Sequence, residues 1–372
     1  MAAHRTAVSR AHRLNDPVRV LLYHPFSDPW RQSMRVYASE LGRALRSVSG
    51  AGAEIHDVTL PHARLDPPLR YWDQYVRYPR LARRSPGAVH HILDHGFSNL
   101  AAALPARRIV VTFHDAIPLR SGGASFGTRR TLGYGMRAAA GKGAHFIAVS
   151  EGSRRDAETF FAIDPASISI VPNGVGEGFR PASDREAVRA RLALRRRVVL
   201  IVGHTQPYMN VEGALRAAAV AARHVDLEVV KIGVPLTMAQ GALAESEGLG
   251  GRIRERGIVS DAELRDWYAA ADVLLYLPKL SGYGLPVLEA MASGTPVVTS
   301  SVGAVPEIAA GAAVLVDPLD AAAAGEALAA LLADDQGRAV LVRDGLARAA
   351  AYPWSRAAEE TMRVYRMVSD GA

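Results

Sequence analysis

The chain contains no cysteine. That excludes disulfides, thiolate metal sites and cysteine nucleophiles together, and it fits a reducing cytoplasm. It also lacks any uninterrupted apolar run of the ~18 residues a transmembrane helix needs. The stretch from Met1 to Pro17 carries His4, Arg5, Arg10, His12 and Arg13 without an apolar core, so it reads as a frayed tail and not as a secretory leader. There is no short internal repeat. What is there is ordinary globular composition, 49% hydrophobic and 22% charged. The 372 residues are too many for one compact core and call for two or three domains. Charge is unevenly placed: residues 1–195 hold 28 Lys/Arg against 16 Asp/Glu, and residues 196–372 hold 16 against 21. A basic first half suits an anionic membrane surface or a phosphorylated acceptor, or else an Arg-rich proteome. No nucleic-acid-binding motif accompanies it.

Short apolar runs bounded by turn formers predict buried strands at Val18–Tyr23, His90–Leu93, Ile109–Phe113, Phe146–Val149 and Ile168–Val171. Helical spacing lies between them, as in Ser33–Val48, where Val36, Leu41 and Leu45 share a face. The pattern breaks near Asn173–Gly178 and Pro181, then restarts at Val198–Val202. Later strands are expected at Leu227–Ile232, Val273–Leu277, Pro296–Thr299 and Ala313–Val316, and the Ala-rich stretch Ala321–Leu332 reads as a helix. Alternating strands and helices argue for covered parallel sheets. The expected domains are residues 1–190 and 191–350, followed by a closing helix within 351–372.

The segment with chemistry in it runs from Ser281 to Val298, SGYGLPVLEAMASGTPVV. Gly282 and Gly284 let the backbone approach a ligand closely. Pro286 suits the first turn of a helix, and Gly294 ends that helix. Free amides at such a helix start suit a diphosphate. Glu289, about one turn in, is placed to bond sugar hydroxyls of the same ligand.

This segment resembles the family 4 retaining glycosyltransferases of GT-B fold. The resemblance continues in Val110–Leu119 (VVTFHDAIPL), Ile147–Asp156, Ile170–Val175 with Phe179–Pro181, Gly203–Asn210 (GHTQPYMN), Gly257–Leu264 and Ala269–Leu275, all in the family's order. It implies an α/β fold of two Rossmann-like doubly wound parallel-sheet domains facing a central cleft. It implies sugar transfer, with retention, from a nucleoside-diphosphate sugar to an acceptor that the sequence does not identify. No metal or other cofactor is expected, and the chain has no Asp-x-Asp. By the same resemblance His114, Asp115 and Ser281 sit at the reacting centre, His114 as a sugar contact and not as a general base. Gly203, Thr205, Asn210, Val259, Gly282, Tyr283, Gly284, Leu285 and Glu289 hold the donor, Val259 through its backbone to the base; Lys231 and Lys279 are expected to join them as this chain's own cations. Asn210 reads equally well as a helix cap.

Three positions depart from the family. Ser281 stands where a first glutamate is usual, Met209 where a lysine is usual, and Ser27–Ser33 replaces a Gly-rich loop. Lys279, Lys231, Arg31 and Arg35 are the cations available to compensate. The departures support two rival readings, a degenerate homologue serving as a partner subunit and a nucleotide-sugar epimerase. Finally, the segment Arg70–Arg84 mixes aromatics with arginines, which suits a membrane interface, an acceptor or a solvated helix alike.

Overall fold

The computed structural model describes residues 17–26, 32–61, 63, 66, 68–85, 89–123 and 125–371. They form two compact units. One takes in the described residues up to Gly174 and those from Trp354 onward; the other is Val175–Pro353.

The first unit is built on six parallel strands: β1 (Val18–Tyr23), β2 (Ala53–Val58), β3 (Val89–Ile92), β4 (Ile109–Phe113), β5 (His145–Ala148) and β6 (Ile168–Ile170). Their order is β2-β1-β3-β4-β5-β6. The second holds β7 (Arg197–Gly203), β8 (Leu227–Gly233), β9 (Ile253–Gly257), β10 (Val273–Tyr276), β11 (Val297–Ser300) and β12 (Val314–Val316), ordered β12-β11-β10-β7-β8-β9. Chain direction across each sheet therefore reverses once, between β1 and β3 in the first and between β7 and β10 in the second. Ligands of open parallel sheets bind beyond the strand carboxyl ends at such reversals.

Helices cover both faces of the first sheet. Tyr78, Phe97, Leu100 and Met136 pack on one face. Tyr37, Leu41 and Leu45, from the helix Gln32–Ser49, pack on the other together with Ala358, Met362 and Tyr365 of the last helix, Trp354–Asp370. Each fully buried large side chain contributes about 1.5–3 kcal/mol, so this returning helix is a structural part of the first unit. In the second unit the helices Val211–Ala221 and Ala321–Ala333 pack together over β7, β8 and β11.

Two strands, β2 and β9, are absent from the sequence expectation. Both are sheet edges, and β9 reads Ile-Arg-Glu-Arg-Gly, without the apolar run that marks an interior strand. The chain passes from the first unit to the second after Gly174, earlier than residue 190, and returns after Pro353, close to residue 350. The reason for the earlier passage is the helix Arg185–Arg191: Arg185 and Arg189 donate to the carbonyl of Ala270 and to Asp272, which ties that helix into the second unit.

Candidate functional site

At the reversal in the second sheet, the β7 strand leads through Gly203–Asn210 into the helix Val211–Ala221. The β10 strand leads through Leu277–Gly284 into the helix Leu285–Ala292. The two loops are joined by backbone: the amides of Lys279 and Leu280 donate to the Tyr208 carbonyl at 2.7 and 3.4 Å. A third segment closes round them. Ser300 Oγ donates to the Pro278 carbonyl at 2.6 Å, and the Ala304 amide donates to the Gly282 carbonyl at 3.4 Å.

Both helix starts lack a side-chain cap. Gly284 precedes Leu285 in the left-handed region at φ 93°, and Pro286 occupies the first turn. A side chain at Gly284 would be strained and would press on Val305. Asn210 precedes Val211 at φ 54° without bonding the helix start. Elsewhere in the unit, the helices starting at Arg185, Met238, Asp261, Ala321 and Asp335 are all capped by Asp, Thr or Ser; the five-residue Val305–Ala309 turn is a further uncapped one. Uncapped first-turn amides carry partial positive charge and are ready to receive an anion.

Glu289 lies half-buried on the second of these helices. Tyr268 Oη donates to its Oε2 at 2.8 Å. Burial pushes the carboxyl up to about 7, with the Tyr268 bond working in the opposite direction. Ser281 Oγ is buried and accepts or donates no hydrogen bond. Tyr276 approaches it, but not in bonding geometry. Tyr283 is buried, Gly282, Thr205, Leu285 and Val259 are half-buried, and the Lys279 side chain is exposed. Gly257, Val259 and Ser260 precede the helix Asp261–Ala270, which Ser260 caps.

Two expected donor contacts are placed differently. Lys231 is 2% exposed and its ammonium is spent on the carbonyls of Gly203, Ile232 and Val234, so it does not reach out to a ligand. Asn210 neither caps its helix nor faces a loop ligand: its Nδ2 donates to the Pro318 carbonyl at 2.8 Å and it is 3% exposed.

In the first unit, His114 and Asp115 follow β4. His114 is buried, with Nε2 donating to the Leu93 carbonyl at 2.9 Å and its ring edge-on to Tyr37. That bond fixes the proton on Nε2. Asp115 Oδ1 receives the Ile117 amide at 2.9 Å and shapes the turn. Arg35 is exposed; Arg31 and most of the Ser27–Ser33 segment lie outside the described residues. Among the described residues no group of three or more His, Asp or Glu is arranged to hold a metal ion, and no helix is long and apolar enough to cross a membrane.

Comparison with known proteins gives the same division of the chain. Residues 18–177 match the model for Glycosyltransferase Family 4, and residues 184–347 match the model for Glycosyl transferases group 1. A D-inositol 3-phosphate glycosyltransferase of Frankia alni is 31% identical over 311 residues, covering 77% of this chain and 76% of the relative. The chain belongs to the family 4, group 1 glycosyltransferases. Other glycosyltransferase relatives match over less. One from Catenulispora acidiphila, also a D-inositol 3-phosphate glycosyltransferase, is 35% identical across 56% of this chain and 53% of its own. The O-antigen chain mannosyltransferase B of Escherichia coli is 32% identical across 45% of each. The chain thus spans about half the length of several curated relatives it matches. The fold is GT-B: the sucrose-phosphate synthase of Thermosynechococcus elongatus superposes with TM-score 0.75 at 20% identity, covering 95% of this chain and 100% of that one. HepE of Anabaena, solved with UDP and glucose, gives 0.76 at 15% identity, covering 93% and 99%.

Against this glycosyltransferase frame, sequence reasoning missed residues whose role is tertiary. Tyr268, which holds Glu289, sits in an alanine-flanked helix end with nothing local to mark it. Asp94 and His95 follow β3, at the reversal of the first sheet, and both are buried. An Asp-His pair after a predicted strand was the available signal.

Proposed function

We propose that the chain is a retaining, metal-independent glycosyltransferase that moves a sugar from a nucleoside-diphosphate sugar to an acceptor. The observation that carries this reading is the pair of uncapped helix starts joined at the Tyr208 carbonyl beyond the reversal of the second sheet. Two such starts offer amides and partial positive charge to a diphosphate, and Glu289 stands one turn behind to take sugar hydroxyls. HepE, of the same fold, binds UDP and glucose. In this reading the leaving diphosphate is stabilised by amides and not by a metal, and it takes the acceptor proton itself.

Calorimetric titration with UDP, GDP and ADP and their sugars, on wild type and Glu289→Ala, tests it. Binding of one donor that weakens sharply in the variant supports transfer. No binding at millimolar concentration favours the partner-subunit reading, which Ser281 and Met209 motivate. Turnover of a bound donor without any acceptor favours an epimerase.

We further infer that the protein works in the cytoplasm against an anionic membrane surface. The helix Phe126–Gly141 contains no acidic residue; Phe126 and Tyr134 are 74% and 54% exposed, and Arg129, Arg130 and Arg137 are exposed beside them. Leu69, Tyr71 and Trp72 are exposed ahead of Arg80, Arg83 and Arg84, while the one acid of that segment, Asp73, is buried and paired with Arg77 at 2.8 Å. Rings and cations together suit the headgroup zone. Sedimentation with phosphatidylglycerol vesicles, lost in Arg129→Glu/Arg130→Glu and absent with neutral vesicles, is the expected result; equal behaviour of both proteins overturns it.

A further inference from the structure

Lys231 is the fifth residue of β8. Strand alternation puts it on the face that carries Leu227 and Val229, which lie in the hydrophobic core of the second unit. A buried ammonium there is costly unless each of its hydrogens is bonded. Here each is: Nζ donates to the carbonyls of Gly203, Ile232 and Val234 at 2.6, 2.9 and 2.9 Å. A methionine or leucine would fill the same space without that cost, so the cation calls for a reason.

The reason lies in the Gly203–His204 peptide. Gly203 ends β7 at φ 120°, a conformation open to glycine. Its carbonyl receives both Lys231 Nζ and the Val234 amide, the latter at 3.2 Å. In a trans peptide the N–H lies opposite the C=O. Holding the Gly203 carbonyl inward therefore turns the His204 amide outward, at the start of the loop that leads to the uncapped Val211 helix. The loop itself, Gly-His-Thr-Gln-Pro-Tyr-Met-Asn, has no lysine or arginine.

We propose that Lys231 is the positioning residue of the donor diphosphate: it sets the Gly203–His204 peptide with its amide toward the phosphates and supplies the loop's positive charge from beneath. This rests on the donor reading above. The charged neighbours of Lys231 are Glu255, from β9, and His204, in the loop. Glu255 is engaged by the Leu236 amide at 2.6 Å. Burial brings Lys231 down to about 8, with Glu255 opposing; His204 is lowered chiefly by burial and then by the charge of Lys231. An ammonium with this pKa is charged below about pH 8 and loses its charge above it.

The test uses whichever of UDP, GDP and ADP binds wild type most tightly, and its parent nucleoside, from about pH 7 to 9.5. Lys231→Met should weaken the nucleoside diphosphate roughly 10- to 100-fold and leave the nucleoside within about twofold. Wild-type diphosphate affinity should fall as pH rises through about 8, and Lys231→Arg should restore binding without that fall. A flat wild-type profile overturns the proposal, even if the variants fail to fold. So does equal loss of nucleoside and diphosphate in Lys231→Met. Wild type binding none of the three diphosphates instead overturns the donor reading itself.

Discussion

The two sheets end differently at their reversals. Beside the first reversal, the polar groups carried by β1, β3 and β4 are turned inward and bonded to one another or to the covering helices. Tyr23 Oη meets His90 Nδ1 at 2.9 Å; His91 bridges Tyr365 and Thr112 at 2.6 and 2.7 Å; and Thr112 also meets Tyr37 at 2.9 Å. Beyond β7 and β10 the backbone is held from behind and presented outward, with helix starts uncapped and Glu289 half-buried. The first arrangement specifies a fold; the second leaves two helix starts without a side-chain cap, where an anionic ligand would fit. The contrast teaches where to read function: at helix starts that no side chain of the protein caps.

The largest effect expected from this contrast is at Glu289. Glu289→Gln keeps the shape and the Tyr268 contact but removes the charge that a sugar would meet, so kcat/KM should fall by about 100-fold or more. The same change should raise stability above pH 7. A carboxyl whose folded pKa is raised to about 7 is destabilised when ionised, so wild-type stability declines as pH rises from about 4.5 to 7. Thermal melts should therefore favour the variant by on the order of 1–2 kcal/mol at pH 8 and by nothing at pH 4. A variant with full activity would remove Glu289 from the site.

Next comes Gly303→Ala. A Cβ at Gly303, which has φ 59°, would overlap the Ser281 carbonyl. That carbonyl belongs to the loop that carries Gly282 and Gly284. The expected cost is about 2–4 kcal/mol of stability, with donor affinity falling at least tenfold as the loop shifts, read by denaturant melts and calorimetry. Unchanged affinity would mean that the loop's position does not matter to the ligand.

Acid should separate the units by a smaller amount. Burial holds His91 down to about 3, chiefly by desolvation and then by His114 and His24. Its folded pKa lies below its unfolded value, so stability is full above about 6.5 and is lost as pH falls toward 3. Across pH 6 to 4.5 the first unit should loosen, while protonation of Glu289 relieves the second. Asp272, whose carboxyl is lowered by its Val198 amide and arginine partners, holds until lower pH. Hydrogen exchange of β3 and β4 should accelerate over that interval and that of β7 and β8 should not; parallel acceleration would sink the distinction.

Much of this was legible in the sequence. Interior strands announce themselves because burial on both faces demands a continuous apolar run, as in Val198–Val202. The Leu285 helix was legible because Gly284, Pro286 and Gly294 each impose a local conformation. The edge strands β2 and β9 were not, since one open edge lets polar residues stand in a strand. Nor was the inward turn of Lys231 and Asn210: a lysine at a strand end and an asparagine before a helix look outward-facing until the tertiary contacts with Gly203, Val234 and Pro318 are known. Partnerships across the fold, such as Tyr268 with Glu289, carry no local signal at all.

The smallest expected effect is the most pointed. Ser281 occupies the place where the family resemblance has a glutamate, and its hydroxyl is buried without a bonded partner. If the protein has dispensed with a carboxylate there, Ser281→Ala should change stability by less than about 0.5 kcal/mol and kcat/KM by less than about threefold. It removes a group that bonds nothing. Ser281→Glu then asks the opposite question: a rise in turnover would mean that a missing carboxylate limits the rate. A fall in both turnover and donor affinity, which the tight packing of the Ser281 backbone against Gly303 leads us to expect, would mean that the donor pocket is built round the smaller side chain. A 100-fold loss in Ser281→Ala would reverse the argument, because only a bound substrate could then be the partner that the hydroxyl lacks.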